Sequence, residues 1–247
     1  MKVYHIVYEP AYKSADIHFW TACNLNCLAC YTRFETLDFG LYDDPITRIA
    51  DKAPEVPPRH FLSCEEVAAK LRGLSLERAI FIGTEPSLDP EMPRLAGILH
   101  REFGCYNILL TNGAHLADIT DIDEVIFSIK ATSPALHRTY TGCDNRRILD
   151  NFAALSRMGV RMQVETVLIP GLIDAAEIEG VAEFVAGIDP AITLRIDAYF
   201  PVPGCPWRAA SRADVEEAAE LARRHLQKVS ILTLDMKRTG DKPIRLV

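Results

Sequence analysis

Six short, apolar, β-rich runs recur along this chain, separated mostly by amphipathic helical stretches, and this alternation restricts the fold more than any other feature. The runs cover residues 15–20, 78–82, 106–110, 124–128, 161–168 and 191–198. Their Ile, Leu, Val and Phe content suits strands covered on both faces. Between them, residues 65–72, 92–102, 147–157, 176–186 and 213–226 repeat apolar positions at three- and four-residue spacing, as helices packed along one side do. Repeated βα units build a parallel sheet, and 247 residues suffice for one such domain without a division. The expected fold is a single α/β domain over residues 1–247.

Local signals refine that outline. Ser63 and Glu66 have the spacing of a capping box at a helix start, and Gly159 is placed to end the helix before it. Residues 31–61 break the pattern: Asp43-Asp44-Pro45, Pro54, Pro57 and Pro58 mark an irregular excursion after the first strand, a candidate lid or a wrap around the domain. No internal repeat or low-complexity linker interrupts the chain.

Composition excludes several function classes. A net charge of −7 disfavours a nucleic-acid partner held through its phosphates. Met1 to Pro10 contain no apolar signal core, and no apolar run reaches the roughly 20 residues needed to span a bilayer. A cytoplasmic enzyme without a membrane partner is expected. Seven cysteines at 23, 27, 30, 64, 105, 143 and 205 form no secreted disulfide framework. Cys64, Cys105 and Cys143 read as core or loop thiols, whereas Cys205, in Pro203-Gly204-Cys205-Pro206, lies in a loop that a substrate or metal could reach.

Cys23, Cys27 and Cys30 crowd into eight residues directly after the first strand. Zinc sites and complete iron–sulfur sites normally take four protein ligands, so three clustered thiolates point to a [4Fe-4S] cluster with one open iron. In parallel α/β folds, ligands lie at the carboxyl ends of the strands. The other strand ends carry Gly83-Thr84-Glu85-Pro86, Thr111-Asn112-Gly113 and Ser128-Ile129-Lys130.

Cys-x3-Cys-x2-Cys after the first strand, with Gly-Thr-Glu-Pro after the second, resembles the radical S-adenosylmethionine (radical SAM) superfamily. The resemblance implies a partial (β/α)6 TIM-like barrel, a [4Fe-4S] cluster held by Cys23, Cys27 and Cys30, and SAM on its open iron. It also implies that Gly83, Thr84 and Glu85 bind the methionyl ammonium, for which a carboxylate beside glycine-exposed backbone is suited. Ser128-Ile129-Lys130-Ala131, His137 to Gly142 and Ile169-Pro170-Gly171 are similar to stretches of pyruvate formate-lyase-activating enzymes. That similarity places Lys130 beside the SAM carboxylate, with Thr111, Asn112 and Ser128 lining the same pocket.

The departures from that subgroup concern the same region. Its Asp-Gly-Pro-Gly segment before the first strand is replaced by Glu9-Pro10-Ala11-Tyr12. Its Asp-Thr-Asn-Gly becomes Leu110-Thr111-Asn112-Gly113 and its Asp-x-Lys becomes Ser128-Ile129-Lys130, removing two carboxylates associated with a cation near SAM. A histidine aligns with Phe200, a basic residue with Glu165, and the aromatic before the third cysteine with Ala29, leaving Tyr31 to cover the adenine. Gln163, Glu165, Arg195 and Asp197 are candidate substrate groups inside the barrel, Glu165, Arg195 and Asp197 being the catalytic candidates.

The resemblance implies reductive cleavage of SAM to a 5′-deoxyadenosyl radical that abstracts hydrogen from a small-molecule substrate, in an oxygen-sensitive protein suited to an anaerobic host. With cysteines for one cluster only, an external flavodoxin or ferredoxin would supply the electron. A second expectation is an activase that abstracts hydrogen from a glycine of a partner enzyme. A third, of another class, is a non-catalytic iron–sulfur or zinc protein with His18 or Cys64 as a fourth ligand.

Overall fold

The computed structural model describes residues 1–44, 48–236 and 240–247. Nine strands form one sheet: β1 (Val3–Glu9), β2 (Ser14–Phe19), β3 (Arg78–Gly83), β4 (Tyr106–Thr111), β5 (Glu124–Ser128), β6 (Met162–Leu168), β7 (Thr193–Ala198), β8 (Val229–Leu232) and β9 (Ile244–Arg245). Their spatial order is β8-β7-β6-β5-β4-β3-β2-β1-β9, so β8 and β9 are free edges and the sheet is not closed. From β2 to β8 every pairing is parallel. β1 runs antiparallel to both of its neighbours.

All six strands expected from sequence are present, with ends shifted by up to two residues. A seventh parallel strand, β8, extends the expected six-stranded partial barrel, and β1 and β9 border it on the other side. Six α-helices lie wholly within the described residues: α1 (Cys64–Leu71), α2 (Met92–Phe103), α3 (Pro134–Thr141), α4 (Arg146–Arg157), α5 (Ala175–Ala186) and α6 (Arg212–Ala222). The Ser63–Glu66 capping box starts α1 as its spacing implies. Helix α3 was not expected; Ser133 caps it, Pro134 occupies its first turn and left-handed Gly142 ends it.

Burial alternates strictly along β4 and β7. One row, including Leu109, Leu194 and Ile196, joins the core with Leu95, Leu99, Phe152, Val181 and Val215. The opposite row, including Leu110, Arg195 and Asp197, is half-buried on the concave face. The fold therefore leaves polar side chains inside the curve of the sheet, near its carboxyl end.

Among its described residues the excursion at 31–61 contains two 3-10 turns, Tyr31–Arg33 and Phe39–Leu41, and helical residues at 48–49. Buried Glu35 ties it together by accepting from Arg48 Nε at 2.5 Å and Lys52 Nζ at 2.8 Å. His18 on β2 pairs with Asp38 at 2.7 Å, and Val3 bridges Leu62. Pro45, the last residue of the Asp43-Asp44-Pro45 turn signal, lies outside the described residues. Among the described residues, no helix is long and apolar enough to cross a membrane.

Candidate functional site

Strand β3 ends at Gly83, whose φ of +120° is in the range that favours glycine. A Cβ there would stand 2.2 Å from the Phe19 carbonyl oxygen, so glycine lets β3 lie directly against the end of β2. The chain then turns through Thr84 into Glu85, which is 1% exposed. Its carboxylate accepts from Thr111 Oγ1 at 2.7 Å, the Asn112 amide at 2.8 Å and the Ser87 amide at 3.2 Å. Three donors from two strand-end turns thus fix one buried carboxylate.

Thr84 has a role of its own. Its hydroxyl accepts from the Thr21 amide at 2.8 Å and donates to the Thr21 carbonyl at 3.0 Å, while its amide donates to Phe19. Thr21 Oγ1 in turn donates to the Glu85 carbonyl at 2.7 Å. Gly83-Thr84-Glu85 stands in for the Gly-Gly-Glu turn of the family it resembles, and the threonine in the second position fastens the start of the cysteine loop to the Glu85 turn.

That loop is held from several sides. Asn112 Nδ2 donates to Asn24 Oδ1 at 2.7 Å and lies 3.6 Å from Cys23 Sγ. The Asn26 and Leu28 amides donate to the Thr141 and Tyr140 carbonyls at the end of α3. Cys143 Sγ donates to the Asn24 carbonyl at 3.6 Å and Cys205 Sγ to the Leu28 carbonyl at 3.4 Å. All seven cysteines are free thiols. Burial raises the thiol pKa of Cys23 and pushes that of Cys27 up to about 11, while Lys130 acts in the opposite sense on Cys27. Cys23, Cys27 and Cys30 act on one another electrostatically. Yet among the described residues no three His, Cys, Asp or Glu side chains converge on one metal ion. Three thiols carried on one short loop are the donor set that a [4Fe-4S] cluster with one open iron takes. Neither proposed fourth zinc ligand joins them: His18 pairs with Asp38, and Cys64 packs against Met1 Sδ and the Glu91 carbonyl.

On the concave face, β5 and β6 place Ser128 opposite Glu165, and β6 and β7 place Glu165 opposite Arg195. Ser128 Oγ donates to Glu165 Oε1, and Arg195 Nη2 donates to Glu165 Oε2 at 2.6 Å. Arg195 also donates through Nε to Asp197 at 2.8 Å. Burial raises the Asp197 pKa, and Arg195 opposes that rise. Two departures from the activating-enzyme pattern thus meet: where acid and base are expected on β5 and β6, the chain has a hydroxyl and an acid that bond each other. Gln163 lies two residues before Glu165 on β6 and donates through Nε2 to Glu124, toward the opposite end of the strands.

Lys130 follows β5, and its charge acts on both Cys27 and Asp197. Tyr31 packs its ring 4.4 Å from Phe39 and 6.0 Å from Phe200. The tyrosine after the third cysteine and the phenylalanine replacing a histidine therefore share one aromatic group. Gly83, Thr84, Glu85, Thr111, Asn112 and Cys23 form one bonded network, and Ser128, Glu165, Arg195 and Asp197 a second. Sequence reasoning missed Thr21, Asn24, Tyr140 and Cys143 as residues that hold the loop, because none carries a motif and each acts through a partner distant in sequence.

An open parallel α/β sheet that gathers three thiols and a buried carboxylate at its carboxyl end is the architecture of a cofactor-dependent enzyme. Residues 17–185 match the family model of the radical SAM superfamily, and the chain belongs to that superfamily, whose cofactors are a [4Fe-4S] cluster and SAM. It is 29% identical over 226 residues to a Methanocaldococcus jannaschii protein provisionally named a glycyl-radical enzyme activating enzyme, covering 87% of this chain and 79% of that protein. In fold it is similar to a domain of pyruvate-formate lyase-activating enzyme from Bacteroides vulgatus, with a TM-score of 0.53 and 20% identity over 63% of this chain and 98% of that one. A radical SAM methyltransferase from Sphaerobacter thermophilus gives 0.64 and 17% identity over 96% and 72%.

Proposed function

We propose that this enzyme uses SAM as the source of a hydrogen-abstracting radical and directs it at a glycine of a partner protein, as a glycyl-radical enzyme activating enzyme would. The observation that carries this reading is the single bonded network joining Cys23, Asn112, Thr111 and Glu85 across three strand ends. The likeness to the M. jannaschii protein over most of both chains favours the protein substrate.

When bound, the [4Fe-4S] cluster and SAM would supply the one-electron chemistry that yields a hydrogen-abstracting radical. The chain's own residues have the following roles in this proposal. Cys23, Cys27 and Cys30 hold the cluster. Glu85 and the backbone at Gly83 and Thr84 take the methionyl ammonium, with Thr111 and Asn112 keeping the carboxylate aimed. Lys130, which has no ion-pair partner among the described residues, takes the SAM carboxylate. Tyr31 borders the adenine, and Ser128, Glu165, Arg195 and Asp197 position the group that loses hydrogen. Burial of Glu85, Thr111, Asn112, Ser128 and Glu165 limits water around the groups they hold.

The concave network favours a second reading, a small polar substrate, because Arg195 fixed between two carboxylates is a directional donor for a compact ligand. The two are separated by electron paramagnetic resonance. Reconstituted enzyme, SAM and a reductant are added to an anaerobic protein fraction of the host. The activase reading predicts a protein-bound doublet that collapses to a singlet when glycine is α-deuterated. Deuterium carried into 5′-deoxyadenosine from the small-molecule fraction, with no protein-bound signal, would support the second reading and reject the first.

A further inference from the structure

We infer that the amino end of the sheet's concave face holds a second binding site, separate from the candidate active site, for a small zwitterion: an α-amino acid with an apolar side chain, its ammonium on Asp16 and its carboxylate on Arg78. A cavity of about 760 Å³ lies there, within the size range of small-molecule sites. Strands β2 to β6 line it at the end opposite the cysteine loop. An apolar layer divides it from the candidate active site: Ile108 and Leu110 follow Tyr106 in one row of β4, and Ile126 stands between Glu124 and Ser128 on β5.

Most charges lining the cavity are matched. Glu124, 5% exposed, accepts from the Tyr106 hydroxyl at 2.9 Å and pairs with Arg161 at 3.5 Å. Glu77 pairs with Lys13 at 2.5 Å, and Glu9 has a partner of its own. Asp16 and Arg78 are the exceptions. Asp16 Oδ1 is buried and has no hydrogen-bond partner, and the exposed Arg78 guanidinium has no hydrogen bond or ion pair among the described residues. They do not pair with each other. In register Arg78 faces Ser14 and Asp16 faces Ile80, so one strand spacing and two residues' rise set their Cα atoms about 8 Å apart.

A buried carboxylate oxygen without a donor is a cost that folded proteins normally remove. Burial, and then the charges of Asp38 and Glu9, raise the Asp16 pKa well above the ordinary carboxylate value, and an ammonium is the group that offsets them. A zwitterion answers both open charges at once. A simple cation would face Arg78 and Arg161, and a simple anion would face Asp16, Glu9 and Glu77. On the Arg78 side a carboxylate matches the guanidinium fork. Tyr12, Ile80, Tyr106 and Ile108 give the wall aromatic and aliphatic surface, which suits an apolar side chain.

The test is titration calorimetry on the full, cluster-reconstituted chain, with L-leucine and L-phenylalanine as probes beside their amides and N-acetyl derivatives. At least one of the two amino acids should bind saturably at one site per chain. Its amide, which lacks the carboxylate, and its N-acetyl derivative, which lacks the ammonium, should each bind at least ~10-fold more weakly. Asp16→Asn and Arg78→Gln, checked for folding by circular dichroism, should each weaken the amino acid at least ~10-fold, whereas the remote control Arg223→Gln should bind like wild type. No saturable binding of either amino acid would overturn the site. So would equal affinity for the amino acid and either derivative, or equal affinity in wild type and either folded variant.

Discussion

Glu85 is the residue on which the candidate site turns. A carboxylate with almost no solvent contact is stabilised by the Thr111 hydroxyl and two backbone amides, and those donors would be orphaned by its removal. Glu85→Gln should therefore cost about 1–3 kcal/mol of stability, read from denaturant titrations, and weaken SAM binding by more than tenfold. Unchanged SAM affinity would remove Glu85 from the ammonium role. Glu85 was legible in the sequence because Gly83-Thr84-Glu85-Pro86 follows a clear strand and glycine there has a steric reason. Thr84 was legible only as a departure; its bonds to Thr21 link residues 63 apart and leave no local pattern. Cys205 was noted as reachable, but its bond to the Leu28 carbonyl depends on folding across the whole chain.

At the scale of elements, strand ends and helix anchors can be separated experimentally. Gly113, after β4, has φ of +72°, and a Cβ there would stand 1.8 Å from the Phe127 ring. Gly113→Ala should destabilise the fold by about 1–3 kcal/mol through overpacking, besides its backbone strain. Helix α2 is anchored to the loop before β5 through His100, which meets Asp121 at 3.0 Å and Asp123 at 2.8 Å. Partial burial lowers the His100 pKa, but the two aspartates outweigh it and the net shift is upward from 6.5. The charged form is thus favoured by folding, so its contribution is full below about pH 6.5 and fades as pH rises through the higher folded-state value. His100→Gln should show its largest loss of Tm near about pH 5.5 and converge on wild type by about pH 9, measured in matched thermal melts. The six parallel strands and the longer helices were legible from apolar periodicity. Strand β1 was not, since His5, Ile6, Val7 and Tyr8 are buried in succession and show no alternation. Strands β8 and β9 are short edges whose pairing is set by their neighbours.

For the whole molecule, the open sheet explains why the two bonded networks share one end: seven parallel strands align their carboxyl termini, and the cysteine loop crosses from β2 to the end of α3. The resemblance read from sequence and the superfamily membership agree because fold and cofactor motif lie on the same strand ends. Substrate choice is less legible, because the concave network of Ser128, Glu165, Arg195 and Asp197 is created by register between strands rather than by any contiguous motif. The most direct test of the central claim is anaerobic cluster reconstitution of wild type and Cys27→Ala, followed by incubation with SAM and dithionite and chromatographic measurement of 5′-deoxyadenosine. The account predicts iron–sulfur absorbance and 5′-deoxyadenosine from wild type, and at least a hundredfold less product from Cys27→Ala. Equal product from both proteins, or wild type that binds zinc and forms no cluster, would contradict it.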